Sequence, residues 1–370
     1  MPEPRTGSLC TGYGGLDIAA QRVFGGTTVW HADNDPGASK ILAHHHPHTP
    51  NHGDITTLDW DQVEPVDIAT MGFPCQDVSL AGRGAGITDG TRSGLWRHCA
   101  RAIAHLNPKL VIIENVRGLL SRPAHSHLEH CPWCMGNPGD EPVLRALGAV
   151  LGDLADLGFD AEWIGLPACD PRIGGPSERW REFILAWPAS PHPDFLRWNR
   201  RPRHQPETQG RHEPTHRRHP LPAGPLNLLP TPAARDWKSG ASNLMDANSR
   251  PLNEFAVNWL PRRGNWIGTN GIDYGPAIRR WEHITGHPAP EPTQDGPRGG
   301  RRLNPAFSEW MQGINPGHVT AVPGLSYSDQ LRAIGNGVVW RQAALGIHLA
   351  TDRVAASLPD AQPQTTTTAA

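Results

Sequence analysis

Cys75 and Glu114 are the two residues whose types and positions most directly suggest covalent chemistry. Cys75 lies in the run GFPCQ after the apolar segment 66–71, and Glu114 follows the apolar segment 110–113. Both segments are predicted to be buried strands of a parallel sheet. Because such sheets bind ligands at the carboxyl ends of their strands, we expect the thiol and the carboxyl group to converge there. That pair suits attack on an electron-poor ring that must also be protonated.

Each of these residues has a simpler interpretation when it is taken alone. A cysteine after a strand is often a small packed apolar residue. A glutamate at a strand end is often solvated, or it caps the next helix. The chemical interpretation therefore depends on the segment that precedes the pair.

The start of the chain has the pattern of a nucleotide site. Ser8–Cys10 ends a short predicted strand, and the turn TGYGG (11–15) precedes an apolar helix. Glycines at such a turn let the backbone approach a ligand closely, although the spacing is neither GxGxxG nor a phosphate loop. Asp33 ends the next strand, where a carboxylate can accept hydrogen bonds from a ribose. Asp33 can equally cap the helix that begins in the run DNDP.

Motifs in a fixed order resemble those of the C5-cytosine DNA methyltransferases over nearly the whole chain. Ser8 to Ala19 resembles the glycine-rich S-adenosylmethionine motif of that family. Gly72 to Ser79 resembles its nucleophile motif, and Glu114 to Val116 resembles its ENV motif.

Three later segments continue the resemblance with some departures. Arg179 and Arg181 match the arginines of the motif usually written QRRxR, whose first positions here hold serine and glutamate. Residues 302–313 resemble the motif that supports the recognition domain. Residues 335–338 (GNGV) resemble the final motif GNSV, with Gly337 in place of the serine.

The resemblance implies a doubly wound, Rossmann-like α/β sheet, a smaller loop-rich target-recognition domain, and S-adenosylmethionine as cofactor. It implies methyl transfer to C5 of a flipped-out cytosine in duplex DNA through a covalent Cys75–C6 adduct. The implied catalytic residues are Cys75, Glu114, Arg179 and Arg181. The implied cofactor-binding residues are Cys10, Thr11, Gly12, Gly14, Gly15, Leu16, Asp33, Asn34, Asp54, Ile55, Pro74, Asn336 and Val338.

The roles of the catalytic residues can be reasoned from their chemistry. The Cys75 thiolate would add to C6 of the ring and raise the electron density at C5, while negative charge develops toward N3. A protonated Glu114 would donate to N3, and Arg181 would hold the carbonyl oxygen at C2. Arg179 would position the loop or a phosphate. The simpler interpretation of both arginines is surface ion pairing with Glu178 or Glu182.

Length and composition predict two unequal domains in the 370 residues. We expect residues 1–187 with 303–358 to form the catalytic domain, 188–302 the target-recognition domain, and 359–370 a disordered tail. Helices are predicted at Leu95–Leu106 and Val143–Leu157, and a single helix from Gly335 to Ala350. Strands are predicted at 163–166 and 183–187. The 40 glycines and 38 prolines indicate many turns and long loops.

Charge and targeting signals narrow the expected partners and location. The net charge of −2 gives no global field that attracts DNA, so phosphate binding must come from local arginine-rich patches. The sequence shows no signal peptide or membrane-spanning run, and six cysteines without a secretory signal suit a reducing cytoplasm. We expect a cytoplasmic monomer that acts on duplex DNA, with a cognate restriction nuclease as a possible partner.

One cysteine and histidine cluster lies outside the motifs. Its CxxC spacing with nearby histidines suits a zinc knuckle, but no second CxxC exists and the fourth ligand is ambiguous. A zinc site and a plain polar loop both remain open. The cluster consists of His125, His127, His130, Cys131 and Cys134.

Three other functions compete with DNA methylation. A DNA-binding regulator of the same fold would not need Cys75, Glu114 and Arg181 together. A tRNA-methylating relative would carry a Cys-Phe-Thr segment, which this sequence lacks. A cysteine-dependent pyrimidine-nucleotide enzyme would leave the 11–15 turn unexplained. No rule converts the recognition segment, such as residues 235–238, into a target DNA sequence.

Overall fold

A six-stranded mixed sheet forms the centre of the protein in the computed structural model. The structure describes residues 2–73, 94–117, 146–190, 192–198, 226–238, 251–257, 266–268, 270–297 and 299–358, and the backbone of 199–200. The strands are β1 (Arg5–Leu9), β2 (Thr27–Ala32), β3 (Ile68–Met71), β4 (Leu110–Val116), β5 (Phe159–Pro167) and β6 (Trp180–Pro188), with a separate hairpin of β7 (Thr293–Asp295) and β8 (Arg301–Leu303).

Helices connect and flank these strands. They are α1 (Gly15–Phe24), α2 (Pro36–His45), α3 (Leu95–Leu106), α4 (Ala146–Asp156), α5 (Leu252–Val257), α6 (Gly275–Thr285), α7 (Pro305–Met311), α8 (Tyr327–Asn336) and α9 (Trp340–Ser357), with short 3-10 turns at Trp60–Gln62 and Asp194–Arg200.

The strand order is β2-β1-β3-β4-β6-β5. The first four strands run parallel, and β6 runs antiparallel to both of its neighbours. This arrangement confirms the predicted doubly wound α/β class. It also confirms that the segments before Gly72 and Glu114 are adjacent parallel strands, with Met71 opposite Ile113.

The two faces of the sheet bury alternate residues of β4. Val111 and Ile113 pack with α3 and α4 on one face, whereas Ile112 packs with α1 and α9 on the other. Because both faces are covered, β4 reads in the sequence as an unbroken apolar run. Glu114 therefore lies on the same face as Ile112, toward α1 and α9, since side chains alternate along a strand.

Several predicted elements have the expected position, and one is wrong. The α3 helix has the predicted bounds, and β5 and β6 contain the predicted strands 163–166 and 183–187. The single helix predicted from Gly335 to Ala350 is instead two helices, because α8 ends at Asn336 and α9 begins at Trp340. The extended residues between them form a short connection beside the N-terminal turn.

Part of the predicted recognition domain packs on the sheet. Phe195 and Trp198 join the apolar cluster of Phe24 and Trp187 on the α1 face. A further core unites α5, α6 and α7 with Leu229 and with residues at the start of α9. The domain boundaries remain a prediction, but these packed segments tie the 188–302 range to its neighbours. In the described part of the chain, no helix is long and apolar enough to cross a membrane.

Candidate functional site

The turn after β1 has an unusual backbone. Cys10, Gly12 and Gly14 all have positive φ angles, of 52°, 59° and 84°. Gly14 is the N-cap of α1, and its left-handed conformation explains the glycine there. Apart from the adjacent chain residues, the described residues place no atom within 4 Å of a Cβ built on Gly12 or Gly14, so the described part of the chain leaves open space over the turn. A ligand can therefore approach this backbone closely, which a side chain at either position would prevent.

Asp33 closes this turn from the end of β2. Its Oδ2 accepts from the backbone N–H of Gly12 at 2.8 Å, and its Oδ1 accepts from that of Asp35 at 2.9 Å. Asn51 braces Asp33 by donating to its carbonyl oxygen and accepting from its N–H, both at 3.0 Å. Burial raises the pKa of the Asp33 carboxyl group, while its hydrogen bonds with Gly12 and Asp35 oppose that rise.

The competing helix-cap role belongs to Asp35. Its Oδ1 accepts from the N–H groups of Gly37 and Ala38 at 2.8 and 2.9 Å, which is the arrangement expected of an N-cap at the start of α2. Asp33 precedes this cap and points toward the turn instead. Within the described part of the chain, each of its carboxylate oxygens accepts one hydrogen bond, which leaves lone pairs for further donors.

Acidic groups converge on the thiol of Cys10. Burial raises the pKa of Cys10 to about 12, and the negative charges of Asp33 and Asp54 contribute to that rise. Hydrogen bonds from Thr56, with a smaller contribution from Asn34, hold the pKa of Asp54 below its usual value. Ile55 is buried in the core beside this group.

Tyr13 joins the turn to the connection between α8 and α9. Its hydroxyl donates to the carbonyl oxygen of Val338 at 2.5 Å, and its ring is buried. A Cβ on Gly337 would lie 1.7 Å from Cε1 of Tyr13, and a Cβ on Gly15 would lie 2.4 Å from the Val338 oxygen. The two segments therefore interlock only because both positions are glycine. His318 Nε2 lies 2.9 Å from the Tyr13 carbonyl oxygen and fixes the turn from a third side.

The other expected cofactor residues lie around this interlock. Leu16 and Val338 pack in the same apolar cluster. Asn336 is exposed at the last position of α8. Thr11 donates its hydroxyl to the Ser8 carbonyl oxygen at 3.2 Å.

Glu114 and Arg181 form a buried ion pair at the carboxyl end of β4. Arg181 Nε lies 2.6 Å from Glu114 Oε1, and both side chains are largely buried. Arg181 therefore pairs with Glu114, not with Glu178 or Glu182. A Cβ on Gly72 would lie 3.6 Å from Glu114 Oε2 and 3.6 Å from the Cys10 carbonyl oxygen. The carboxyl group thus lies between the end of β3 and the N-terminal turn.

Opposing influences act on the pKa of Glu114. Burial raises its pKa above the usual value, and the positive charges of Arg181 and then Arg179 act against that rise. Burial is the largest of these influences. A carboxyl group in this setting can hold a proton near neutral pH when its arginine partner moves away.

Arg179 has a different set of partners. Its Nη1 donates to the Pro232 carbonyl oxygen at 3.0 Å, and its Nη2 donates to the carbonyl oxygens of Gly335, at 3.1 Å, and Gly337. Its backbone N–H donates to Thr231 Oγ1 at 3.2 Å. The residue is 3% exposed, and burial lowers the pKa of its guanidinium to about 9. Arg179 therefore ties the 231–232 segment to the α8–α9 connection.

Some expected residues cannot be placed. Cys75 and Pro74 lie outside the described residues, as does the whole cysteine and histidine cluster of 125–134. Among the residues that the structure does describe, no group of three or more histidine, cysteine or acidic side chains is arranged to hold a metal ion.

Four contributors had no recognisable signal in the sequence. Tyr13 stands inside the glycine run as an apparent spacer, and Asn51 follows a proline in a polar loop. His318 and Gln342 come from distant segments, and Gln342 Nε2 donates to the carbonyl oxygens of Leu166 and Arg179, both at 2.7 Å. Only the folded chain brings Tyr13, Asn51 and His318 together around the turn, and Gln342 to the backbone of Arg179.

Comparison with known families and structures supports one assignment. The family model for C-5 cytosine-specific DNA methylases matches residues 5–339, which covers most of the chain and every motif described above.

Curated relatives and solved structures agree with that match. The type II methyltransferase M.NlaIV of Neisseria lactamica is 32% identical over 42% of this chain and 33% of its own length. M.Eco47II of Escherichia coli is 34% identical over 42% of this chain and 41% of its own length. The matched regions thus span less than half of these relatives. A methyltransferase structure from Entamoeba histolytica, EhMeth, shares the fold with a TM-score of 0.50 at 15% identity, covering 96% of this chain and 99% of that one.

Proposed function

Because the chain belongs to the C-5 cytosine-specific DNA methylase family, we propose that it transfers a methyl group from S-adenosylmethionine to C5 of cytosine in duplex DNA. One observation carries this proposal beyond family membership. The buried Glu114–Arg181 pair lies against Gly72, three residues before Cys75. Three residues of extended chain reach at most about 10 Å, which limits how far the Cys75 backbone can be from Gly72.

The N-terminal turn suits the cofactor. Bound S-adenosylmethionine would supply an electrophilic sulfonium methyl group at this site. The open space over Gly12 and Gly14 accommodates a ligand against the backbone, and the remaining lone pairs of Asp33 can accept the ribose hydroxyls. Asn34 and Asp54 together offer polar groups at the neighbouring edge. Val338 contacts the same turn from the α8–α9 connection, and Asn336 is exposed at the end of α8.

Cys75 would act as the nucleophile. Its thiolate adds to C6 of a cytosine that has left the base stack, at a cost of a few kcal/mol for the opening. The π electrons of the former C5–C6 double bond would then form the bond from C5 to the methyl group, while the S–CH3 bond of the donor would break and its sulfur would leave as a neutral thioether. Loss of the C5 proton and departure of the Cys75 thiolate restore the aromatic ring. The enzyme is thereby regenerated, and the net change is one methyl group for one proton.

Glu114 and Arg181 would stabilise the ring during this addition. Negative charge develops toward N3 when the thiolate adds, and a protonated Glu114 can donate to that nitrogen. For this to occur, the cytosine must replace Arg181 as the partner of Glu114. Arg181 is then free to donate to the carbonyl oxygen at C2. The ion pair seen here is the resting arrangement that the substrate exchanges.

Arg179 would act on the site through the backbone. Its three carbonyl partners place the α8–α9 connection and the 231–232 segment relative to each other. We assign it a positioning role, because the structure leaves only its Nε without a hydrogen bond. That nitrogen is buried, so a direct phosphate contact would require the side chain to leave its carbonyl partners.

The proposal also includes the oligomeric state, the location in the cell and the partners of the protein. We propose a monomer that works in the cytoplasm on duplex DNA. Both curated relatives are type II methyltransferases, which supports a cognate restriction nuclease as a partner in the cell.

Replacement of Cys75 tests the proposal directly. Cys75→Ser should abolish methyl transfer to duplex DNA while cofactor affinity stays close to wild type, because a hydroxyl is a far weaker nucleophile than a thiolate at neutral pH. Cys169→Ser is the control, since Cys169 is a partly buried cysteine outside any disulfide and outside the motifs. Mass spectrometry of the digested nucleosides should find 5-methylcytosine with the wild type and with the control.

Three outcomes would redirect or reject the assignment. Methylation of tRNA in preference to duplex DNA would favour the RNA-methylating alternative. Sequence-specific DNA binding by a wild-type protein that transfers no methyl group would favour a regulator. Methylated adenine or N4-methylcytosine in the digest would reject C5 chemistry altogether.

A further inference from the structure

A short turn presents a cluster of cations and an exposed indole beside the candidate site. We call residues 235–238 (RDWK) the RDWK turn. Asp236 points inward, is 2% exposed and accepts from the Ala233 N–H at 2.7 Å. Arg235, Trp237 and Lys238 point outward, and the Trp237 side chain is 39% exposed. Lys238 Nζ lies 5.7 Å from the centre of the Trp237 ring.

This turn is fixed to the residues of the candidate site. Arg179 holds the preceding Pro232 and Thr231, as described above. The Ala233–Ala234 backbone lies against Gly335, where a Cβ would be 2.2 Å from the chain. Asn253 of α5 donates to the Lys238 carbonyl oxygen at 2.6 Å from the other end. The turn is therefore held on both sides and presents its side chains from a rigid support.

The chemistry of the outward side chains points to a nucleic acid. The single acidic residue of the turn is turned inward, and its charge acts on Arg179. The side chains that the RDWK turn exposes to solvent are therefore two cations and an indole. The guanidinium carbon of Arg302 lies 3.9 Å from the centre of the Tyr327 ring. The negative charge of Asp236 acts on the pKa of Tyr327, so Arg302 adds positive charge close to the RDWK turn. An aromatic platform with flanking cations suits a base that stacks and phosphates that pair.

We propose that the RDWK turn is a DNA-binding element of this protein, in which Trp237 stacks on an unpaired base of the opened substrate and Arg235 and Lys238 bind neighbouring phosphates. This rests on the proposed function, since an unpaired base arises when the target cytosine leaves the duplex. A protein partner on this surface is the alternative occupant, and it predicts no effect of the turn on DNA affinity.

The chain offers a matched control for the exposed indole. Trp163 is 38% exposed, almost the same as Trp237. It lies on β5, the edge strand of the sheet, where its carbonyl oxygen accepts from Arg353 of α9. Trp163→Ala and Trp237→Ala each remove an indole of similar exposure. A difference between their DNA affinities therefore depends on where the indole lies.

Binding of the full-length protein to duplex DNA tests the proposal. Trp237→Ala should raise the Kd for DNA about 5- to 150-fold, the range that corresponds to loss of one base–aromatic stack. Trp237→Phe should recover most of the affinity, and Trp163→Ala should bind like wild type. Arg235→Gln and Lys238→Gln should each lower the slope of log K against log salt by about one unit. Trp237→Ala should leave that slope unchanged.

A second measurement separates stacking from a loss of folding. Cofactor affinity and thermal unfolding should be unchanged in Trp237→Ala. Equal DNA affinity of Trp237→Ala and wild type, or equal losses in Trp237→Ala and Trp163→Ala, would overturn the proposal. The binding assay also tests the DNA-binding proposal separately from the proposed methyl transfer. If the wild type bound DNA without methylating cytosine, the effect of Trp237→Ala on the Kd could still be measured.

Discussion

The candidate site has a proposed cofactor side, formed by the 10–15 turn with Asp33 and Arg179, and a proposed chemical side, formed by Glu114 and Arg181. Different kinds of interaction hold the two sides together. On the cofactor side, Asp33, Tyr13 and Arg179 bond almost entirely to backbone groups. On the chemical side, an ion pair joins the side chains of Glu114 and Arg181, and Arg181 Nη1 also donates to the Trp180 carbonyl oxygen at 2.8 Å. Backbone contacts fix a shape, whereas an ion pair between two side chains can be exchanged for a substrate. The contrast suggests that one side is preformed and the other rearranges.

The strongest expected effect concerns the exchangeable side. Glu114→Gln removes the proton that the proposed mechanism donates to N3, and it leaves Arg181 without its charged partner. We expect single-turnover methyl transfer to slow by roughly 10²- to 10⁴-fold, the usual contribution of general acid catalysis. Rapid-quench assays with labelled cofactor at saturating DNA would measure it.

Glu182→Gln is the matched control for that experiment. Glu182 is also fully buried, but it neighbours Arg181 in β6 and so faces the opposite side of the sheet, where it accepts from Trp180 Nε1 at 2.7 Å. Its replacement should change methyl transfer little. Equal rates in Glu114→Gln and wild type would remove Glu114 from the chemistry.

A pair of arginine variants tests the comparison itself. Arg179→Ala strips partners from three buried carbonyl groups, and we expect the free energy of unfolding to fall by about 3 kcal/mol. Arg181→Ala should destabilise less, because its loss leaves a Glu114 that can take up a proton. It should instead reduce methyl transfer in the remaining folded protein.

Urea denaturation and single-turnover rates, measured side by side, would separate the two arginines. If Arg181→Ala destabilised the protein as much as Arg179→Ala, both sides of the site would be structural in the same sense. The distinction between a preformed side and an exchangeable side would then fail.

The preformed side can be tested at Asp33. Asp33→Ala removes the acceptor proposed for the ribose hydroxyls, and charge-assisted hydrogen bonds are worth roughly 1.5–3 kcal/mol each. Calorimetry should therefore find S-adenosylmethionine binding weakened by about 10- to 150-fold. Asp35→Ala, two residues away, removes the cap of α2 and should cost about 1 kcal/mol of stability with cofactor affinity retained. A weaker cofactor complex in Asp35→Ala alone would reverse these assignments.

Much of the fold was predictable because it depends on local patterns. The apolar runs before Gly72 and Glu114 predicted adjacent parallel strands, and the structure confirms them. The break between α8 and α9 was not predictable from the apolar pattern, which continues through Val338 and Val339. Its cause is tertiary, because the carbonyl groups near Gly337 bond to Arg179 and Tyr13, residues more than 150 positions away.

The residues of the candidate site also fall into those that local sequence patterns predict and those that depend on tertiary contacts. Motif residues such as Asp33 and Glu114 stand at strand ends, where sequence patterns are informative. Tyr13, Asn51 and His318 act through contacts between distant segments, and no spacing rule indicates them. Gly337 belongs to both groups, since the sequence showed a departure from serine and only the packing of Tyr13 supplies a reason.

The smallest expected effect concerns that departure. Gly337→Ser places a Cβ where Tyr13 Cε1 lies 1.7 Å away, so the ring or the connection must shift. Overpacking of this kind costs about 1–3 kcal/mol, and we expect cofactor affinity to fall by about tenfold as the turn and Val338 separate. The double variant Tyr13→Val with Gly337→Ser makes room for the hydroxymethyl group and should recover most of that affinity. Tyr13→Phe loses only the hydrogen bond to Val338, so its cofactor affinity measures the contribution of the hydroxyl group. If calorimetry found the two substitutions additive, the residues would be independent, and the glycine at position 337 would have another cause.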